Sequence, residues 1–282
     1  MYRYQLPGVM LESAVGLPSF ADFTAGETTA SKTVTLAIED HRLPDSGELL
    51  KMYHKEMNIA VLEDGWQFSL PKMPEVALRL TKDRSRILCA PLDTPWKLPL
   101  LLPLLRTALE CASAQCGVMS LHAACVEMDG DAICFTAPSG VGKSTRARQW
   151  EDTLGAKLIS GDRPSLRMDG ESVMVCGVPW DGKEGVYRNV QRPLKMICSI
   201  VRDDKVSARR LSRTEARQLL MQQCFLPMWD TEAAVAVMAV LRRVLDRIPV
   251  VELRCGPDEA SAWAAYELIF HHPERILEET EQ

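Results

Sequence analysis

Apolar and polar positions change their period twice along the chain. Between 33 and 70 they alternate in twos. Thr33-Val34-Thr35-Leu36-Ala37-Ile38 and Trp66-Gln67-Phe68-Ser69-Leu70 each put apolar side chains on one face of an extended strand. Met57 to Leu62 reads as a further strand, with Glu63-Asp64-Gly65 as the turn into the next. From Leu100 to Gln115 the period lengthens to that of a helix, and Gly117 is its stop. Strand patterns return at Val118 to Val126 and Ala132 to Thr136, with Asp129-Gly130 between them as a two-residue hairpin turn. The strand ending at Thr136 is therefore expected to pair antiparallel with its predecessor, unlike the first strand of a βαβ unit.

Beyond that point helical and extended segments take turns. A helix is expected from Lys143 to Leu154, with Gly155 as its C′ residue, and a strand over 157–160. A hairpin folds around Asp169-Gly170, and the mostly apolar run from Leu194 to Val201 predicts a central strand. Ser212-Arg213-Thr214-Glu215 is a capping box that opens a helix ending near Phe225. A helix from Thr231 to Arg247, a strand at 250–253 and a last helix with Pro257 at its first position complete the pattern. His271-His272-Pro273 ends that helix. The turn-rich segment Leu92-Asp93-Thr94-Pro95 divides the pattern. Residues 1–94 are expected to be a β-rich accessory or recognition domain, and 95–282 an α/β domain with a mixed sheet.

Composition narrows the classes. The chain has 282 residues, 46% hydrophobic and 25% charged, as in ordinary soluble globular proteins. A net charge of −5 argues against a surface for nucleic acid. The longest apolar stretch, Leu98 to Leu105, contains two prolines, runs into Arg106 and is too short to span a bilayer. The first residues carry no apolar signal core, so a cytoplasmic location is expected. Nine cysteines occur without C-x-x-C spacing. Cys125, Cys134 and Cys198 sit inside apolar runs and read as buried free thiols. His41 and His54 lie among charged residues and read as surface positions.

Chemistry concentrates after Thr136. Ala137-Pro138-Ser139-Gly140-Val141-Gly142-Lys143-Ser144-Thr145 joins a strand to a helix in the form of a phosphate-binding loop. Ala137 stands where the usual pattern has its first Gly, so its φ has to be negative. Gly140 and Gly142 let the backbone bring N–H groups close to an anion, and the helix N-terminus adds its own donors. Ser139, Gly140, Val141, Gly142, Lys143, Ser144 and Thr145 are thus the expected nucleotide contacts. Lys143 would reach the β- and γ-phosphates of ATP, and the Ser144 hydroxyl would hold Mg²⁺. The next strand ends at Gly161-Asp162-Arg163, which places Asp162 to contact the metal or to take a proton from an attacking hydroxyl. The Gly-rich, charged stretch 177–189 reads as a functional loop. There Asp181 and Glu184 are candidate metal ligands, and Lys183 and Arg188 candidate phosphate contacts.

Leu121-His122-Ala123, the Asp129-Gly130 hairpin, the loop through Ser144 and Leu158-Ile159-Ser160-Gly161-Asp162-Arg163 together resemble the core of HPr kinase/phosphorylase. Pro179-Trp180, Gly182-Lys183-Glu184 and Pro193-Leu194-Lys195 are more similar to the kinase-like branch of that family than to the enzymes that act on HPr. The resemblance covers about residues 96 to 270. It implies a P-loop kinase core of the HPr kinase/phosphoenolpyruvate carboxykinase type. It implies Lys143, His122 and Asp162 as catalytic residues, Ser144, Asp162 and Glu184 as metal contacts, and ATP and Mg²⁺ as cofactors. Gly161 replaces the first Asp of the family's pair, and no reason appears to assign HPr as the acceptor. The expected activity is γ-phosphoryl transfer to a hydroxyl of a peptide, protein or small molecule, with homo-oligomerisation open. Two alternatives stand beside it. One is a nucleotide-gated binding protein without transfer. The other is a carboxykinase-like enzyme acting on a small acid held by Arg163, Arg188, Arg192 and Lys195.

Overall fold

The computed structural model describes residues 1–25, 32–41, 43, 48–50, 57–180, 185, 186 and 188–276. These form two compact units, one of residues 1–117 and 227–236, the other of 118–226 and 237–282. Each is built on a mixed sheet, so the chain is mixed α/β. Among the described residues no helix is long and apolar enough to cross a membrane.

The first unit contains β1 (Tyr2–Leu6), β2 (Val9–Ser13), β3 (Lys32–Ile38), β4 (Glu48–Leu50), β5 (Asn58–Leu62), β6 (Gly65–Leu70), β7 (Met73–Thr81), β8 (Arg86–Cys89) and the helix α1 (Lys97–Ala114). The sheet order is β1-β2-β3-β8-β7-β6-β5-β4, parallel at β2/β3 and β3/β8 and antiparallel elsewhere. The alternation expected at 33–38 and 66–70 falls on β3 and β6. The unit ends at Gly117 rather than at 94, because α1 buries Leu101, Leu104 and Leu105 and packs against β7. It also takes back residues 227–236. Arg84, at φ 58°, donates through Nε to Asp230 at 2.8 Å and through Nη1 to Glu232 at 3.0 Å, and its guanidinium lies over the Trp66 ring. Trp66 Nε1 donates to the Trp229 carbonyl at 3.1 Å.

The second unit holds β9 (Val118–Ser120), β10 (Ala123–Met128), β11 (Asp131–Thr136), α2 (Lys143–Leu154), β12 (Lys157–Ser160), β13 (Ser165–Asp169), β14 (Ser172–Cys176), β15 (Gln191–Arg202), β16 (Ser207–Arg210), α3 (Arg213–Gln223), β17 (Val250–Cys255) and α5 (Glu259–Tyr266). The helix α4 (Thr231–Arg247) has its first residues in the first unit and the remainder here. The strand order is β12-β10-β11-β15-β14-β13-β9, with β17 on β15 and β16 on β17. The loop-bearing strand β11 is antiparallel to β10, as its hairpin predicts, and parallel to β15. Asp129 at φ 51° and Gly130 at φ 85° have the two positive φ values that a type I′ turn requires.

Two details depart from the sequence pattern. The strand expected over 118–126 is broken in two. β9 pairs with β13 while β10 pairs with β11 and β12, and Leu121-His122 lies at the break. The last helix is capped by the Asp258 side chain, which accepts from Ser261 N, so Pro257 sits outside it. The capping box of α3 forms as expected. All nine cysteines are free, and seven of them are buried.

Trp150 fastens α2 to the sheet. It is fully buried and meets Phe135 of β11 edge-on with ring centroids 5.2 Å apart. Its indole Nε1 is buried without a hydrogen-bond partner. Replacing Trp150 by Ala should cost about 3–5 kcal/mol of unfolding free energy. Trp150→Phe should cost much less, since it keeps a ring and removes an unsatisfied donor. Denaturant unfolding of the two variants checks this, and equal losses would mean that a phenyl ring cannot replace the packing of the larger indole against Phe135.

Candidate functional site

The turn between β11 and α2 contains two glycines with positive φ. Gly140 has φ 83° and Gly142, the N-cap of α2, φ 117°, conformations that a side chain disfavours. Ala137 is fully buried and is not among the residues with positive φ, so it follows the loop path that its methyl group allows. No side chain caps α2, which leaves its first-turn N–H groups for a ligand. Lys143 is only 9% exposed, and its Nζ donates to the Ala137 carbonyl at 3.1 Å. Burial pushes its pKa down, against the pull of the Asp162 charge. Ser139 and Gly140 are exposed at the tip, Val141 and Ser144 are half-buried, and Thr145 is exposed on the first turn of α2.

Asp162 reaches this turn from the end of β12. Ser144 Oγ donates to the carbonyl of the preceding Gly161 at 3.4 Å, which ties the two segments together. Asp162 Oδ1 is buried and has no hydrogen-bond partner; its neighbour is His122 Nε2 at 3.7 Å. Arg163 adopts φ 54°, a strained conformation for a residue with a side chain. His122 stands at the break between β9 and β10. Its N–H donates to the Gln223 carbonyl at 2.7 Å, its carbonyl accepts from Thr136 Oγ1 at 3.0 Å, and its Nδ1 lies 3.1 Å from Gln223 Oε1. Burial lowers its pKa, Lys143 adds to the effect, and the Asp162 charge opposes it. In the tautomer that donates from Nδ1 to Gln223, Nε2 is a free proton acceptor facing Asp162.

Lys143, Ser144, Asp162 and His122 are therefore brought together. Glu184, Asp181 and Lys183 lie outside the described residues. Arg188, Arg192 and Lys195 are placed elsewhere, against the expectation that they would hold phosphate or a small acid. Arg188 and Arg192 both bind Glu127, at 3.1 and 2.7 Å, and Lys195 binds Asp131 at 3.3 Å. Burial raises the Glu127 pKa, but the two arginines outweigh it and hold the carboxylate below its ordinary range. Glu127 and Asp131 flank the β10–β11 hairpin, and Asp131 is about 17 Å of strand away from the turn before α2. His41 pairs with Asp40, and His271 and His272 contact Tyr266 and Glu274.

Three features had no sequence signal of their own. Gln223 is a buried polar residue at the end of α3. Arg202 ends β15 against the loop, marked in the sequence only as a charge that closes an apolar run. A cavity of about 560 Å³ opens beside the start of α2, lined by Gly142, Thr145, Gln149, Arg202, Asp203 and Gly256.

The residues fit a hard divalent cation. A buried carboxylate oxygen without a partner and a hydroxyl one residue from Lys143 are both oxygen donors of the type Mg²⁺ takes.

The lowered His122 pKa has a stability consequence. Below about pH 6.5 the unfolded chain binds a proton at this position that the folded protein resists, so stability falls as pH drops through that value. In metal-free buffer, the melting temperature of wild type should fall more steeply between pH 7.5 and 5.5 than that of His122→Gln. Parallel curves would show that His122 titrates alike in both states.

No family model and no curated protein matches the chain. Among solved structures it is similar to the HPr(Ser) kinase/phosphatase from Coxiella burnetii, at 11% sequence identity and a TM-score of 0.33, over 55% of this chain and 96% of that one. That is a distant likeness in structure, and by itself it carries no functional argument.

Proposed function

We propose that the second unit is an ATP- and Mg²⁺-dependent phosphotransferase that acts on a hydroxyl acceptor. The observation that carries the reading is the juxtaposition of a buried Lys143 at an uncapped helix N-terminus with Asp162, whose Oδ1 accepts no hydrogen bond among the described residues, and His122 at 3.7 Å from it. Phosphoryl transfer asks mainly for positioning and charge neutralisation. The loop amides and Lys143 would bind the phosphates. The 560 Å³ cavity on the Thr145 side would take the nucleoside. Ser144 and Asp162 would hold Mg²⁺, which when bound neutralises phosphate charge. Asp162, with His122 beside it, would accept the proton of the acceptor hydroxyl. The acceptor is a Ser or Thr of a peptide or protein, or a small-molecule alcohol.

A second reading, ATP binding that gates a partner without transfer, is favoured by Gly161, which leaves Asp162 as the one carboxylate at the end of β12. The carboxykinase-like reading keeps only Arg163 of its four basic candidates, with Arg188, Arg192 and Lys195 engaged at the hairpin.

Mg·ATP should raise the melting temperature of wild type by mass action on the folded state. Lys143→Ala should stay folded and lose most of that shift; an equal shift in both proteins would sink the phosphate-loop assignment. Asp162→Asn keeps the shape of the side chain and removes its charge. It should still bind ATP but transfer phosphoryl at least about 10²-fold more slowly, chiefly in kcat. Wild-type turnover by this variant with an identified acceptor would move the base elsewhere. Single-turnover assays with labelled ATP across peptide and alcohol acceptors separate transfer from binding alone.

A further inference from the structure

Arg202 is the last residue of β15, and its place follows from the strand register. β15 pairs with β11 as far as Thr136 opposite Ser199, then continues for Ile200, Val201 and Arg202 alongside the loop that follows β11. That extension is held from its other side by β17, with Arg202 opposite Cys255. The Arg202 Nε donates to the Val141 carbonyl at 3.0 Å, and Nη2 to the Gly140 carbonyl at 3.4 Å. Nη2 also lies 3.8 Å from where a Cβ on Gly142 would stand. Among the described residues no carboxylate pairs with Arg202. The adjacent Asp203 is taken by Arg254 at 3.3 Å and by Lys205 N at 3.1 Å.

A trans peptide is planar, with its C=O and N–H pointing in opposite directions. The Gly140 carbonyl shares its plane with the Val141 N–H, and the Val141 carbonyl with the Gly142 N–H. A guanidinium that holds both carbonyls on one flank turns both N–H groups toward the opposite, concave side. The Val141 N–H does point into the loop, toward the Pro138 carbonyl at 3.4 Å. With two glycines in three residues, this backbone would otherwise sample many orientations. The planar fork of an arginine suits two neighbouring carbonyls, whereas a lysine offers a single point charge.

We propose that Arg202 is a positioning residue of the phosphate site. It acts as a strut that presets the Val141 and Gly142 amides for a polyphosphate, and it places a positive charge on the flank of the loop. The inference rests on the phosphate-loop reading and extends it to a residue from a different strand. The ligand its two carbonyl bonds serve is the polyphosphate chain of a nucleoside triphosphate.

The test uses the full chain with Arg202→Ala, Arg202→Lys and Lys143→Ala. Binding of Mg·ATP and Mg·tripolyphosphate is measured by calorimetry, and amide exchange at Val141 and Gly142 is followed without ligand. Arg202→Ala is expected to weaken ATP and tripolyphosphate alike, on the order of tenfold, and to speed exchange at the two amides. Arg202→Lys should recover part of the affinity while exchange stays fast. Wild-type tripolyphosphate binding by Arg202→Ala, with Lys143→Ala impaired, overturns the strut and leaves the phosphate loop standing. Wild-type binding by Lys143→Ala removes the loop reading and the inference together. If Arg202→Ala does not fold, Arg202→Lys decides: slow exchange and full affinity in that variant would reduce Arg202 to charge alone and overturn the strut.

Discussion

A cation held out of water at the start of α2 sets the demands on everything around it. The Lys143 ammonium is buried, the Ala137 carbonyl bonds it, and among the described residues the Asp162 charge acts on it without a salt bridge between the two. Removing a charge from water costs several kcal/mol unless its surroundings compensate. The helix dipole and the Arg202 guanidinium add positive potential at the same point. Such a concentration of positive charge calls for a rigid frame. Asp162 mirrors it, as a carboxylate oxygen buried without a donor. The end of β11 therefore gathers groups of both signs that lack full partners among the described residues.

The frame is supplied mostly by one strand. β15 pairs with β14 at its first residues, then with β11 and β17, and its tip braces the loop. Trp150 fixes the helix on the same sheet from one side. Asp162 and His122 arrive from β12 and from the break before β10, two segments that the sheet brings to the same end of β11. His122 owes its orientation to Gln223, 101 residues away in the chain.

The first unit is organised by a different buried charge. Arg84 is fixed by Asp230, Glu232 and the Trp66 ring, and Asp230 also accepts from Ala233 N at the start of α4. Burial would push the guanidinium toward its neutral form, but the two carboxylates outweigh it and raise its pKa. A buried ion pair of this kind adds little net stability over an apolar isostere, yet it admits few alternative pairings. It selects residues 227–236 as the segment that completes the unit.

Local signals carried much of this. The hairpin at Asp129-Gly130, the stops at Gly117 and Gly155, the capping box at Ser212 and the alternation in β3 and β6 were legible, because each depends on backbone preferences within a few residues. The positive φ values at Gly140 and Gly142 and the start of α2 at Lys143 were legible for the same reason. What lay outside local reach was decided by pairing between distant segments. Arg188, Arg192 and Lys195 looked like anion ligands by charge, but strand register carried them to Glu127 and Asp131 at the far end of β11. The unit boundary moved from 94 to 117 because the apolar face of α1 is buried against β7, a contact no turn signal encodes. Arg202 and Gln223 acquired their places for the same physical reason. A side chain's type is written in the sequence, but its partner is chosen by which strands and helices share a sheet edge, and that choice is made only when the whole core closes.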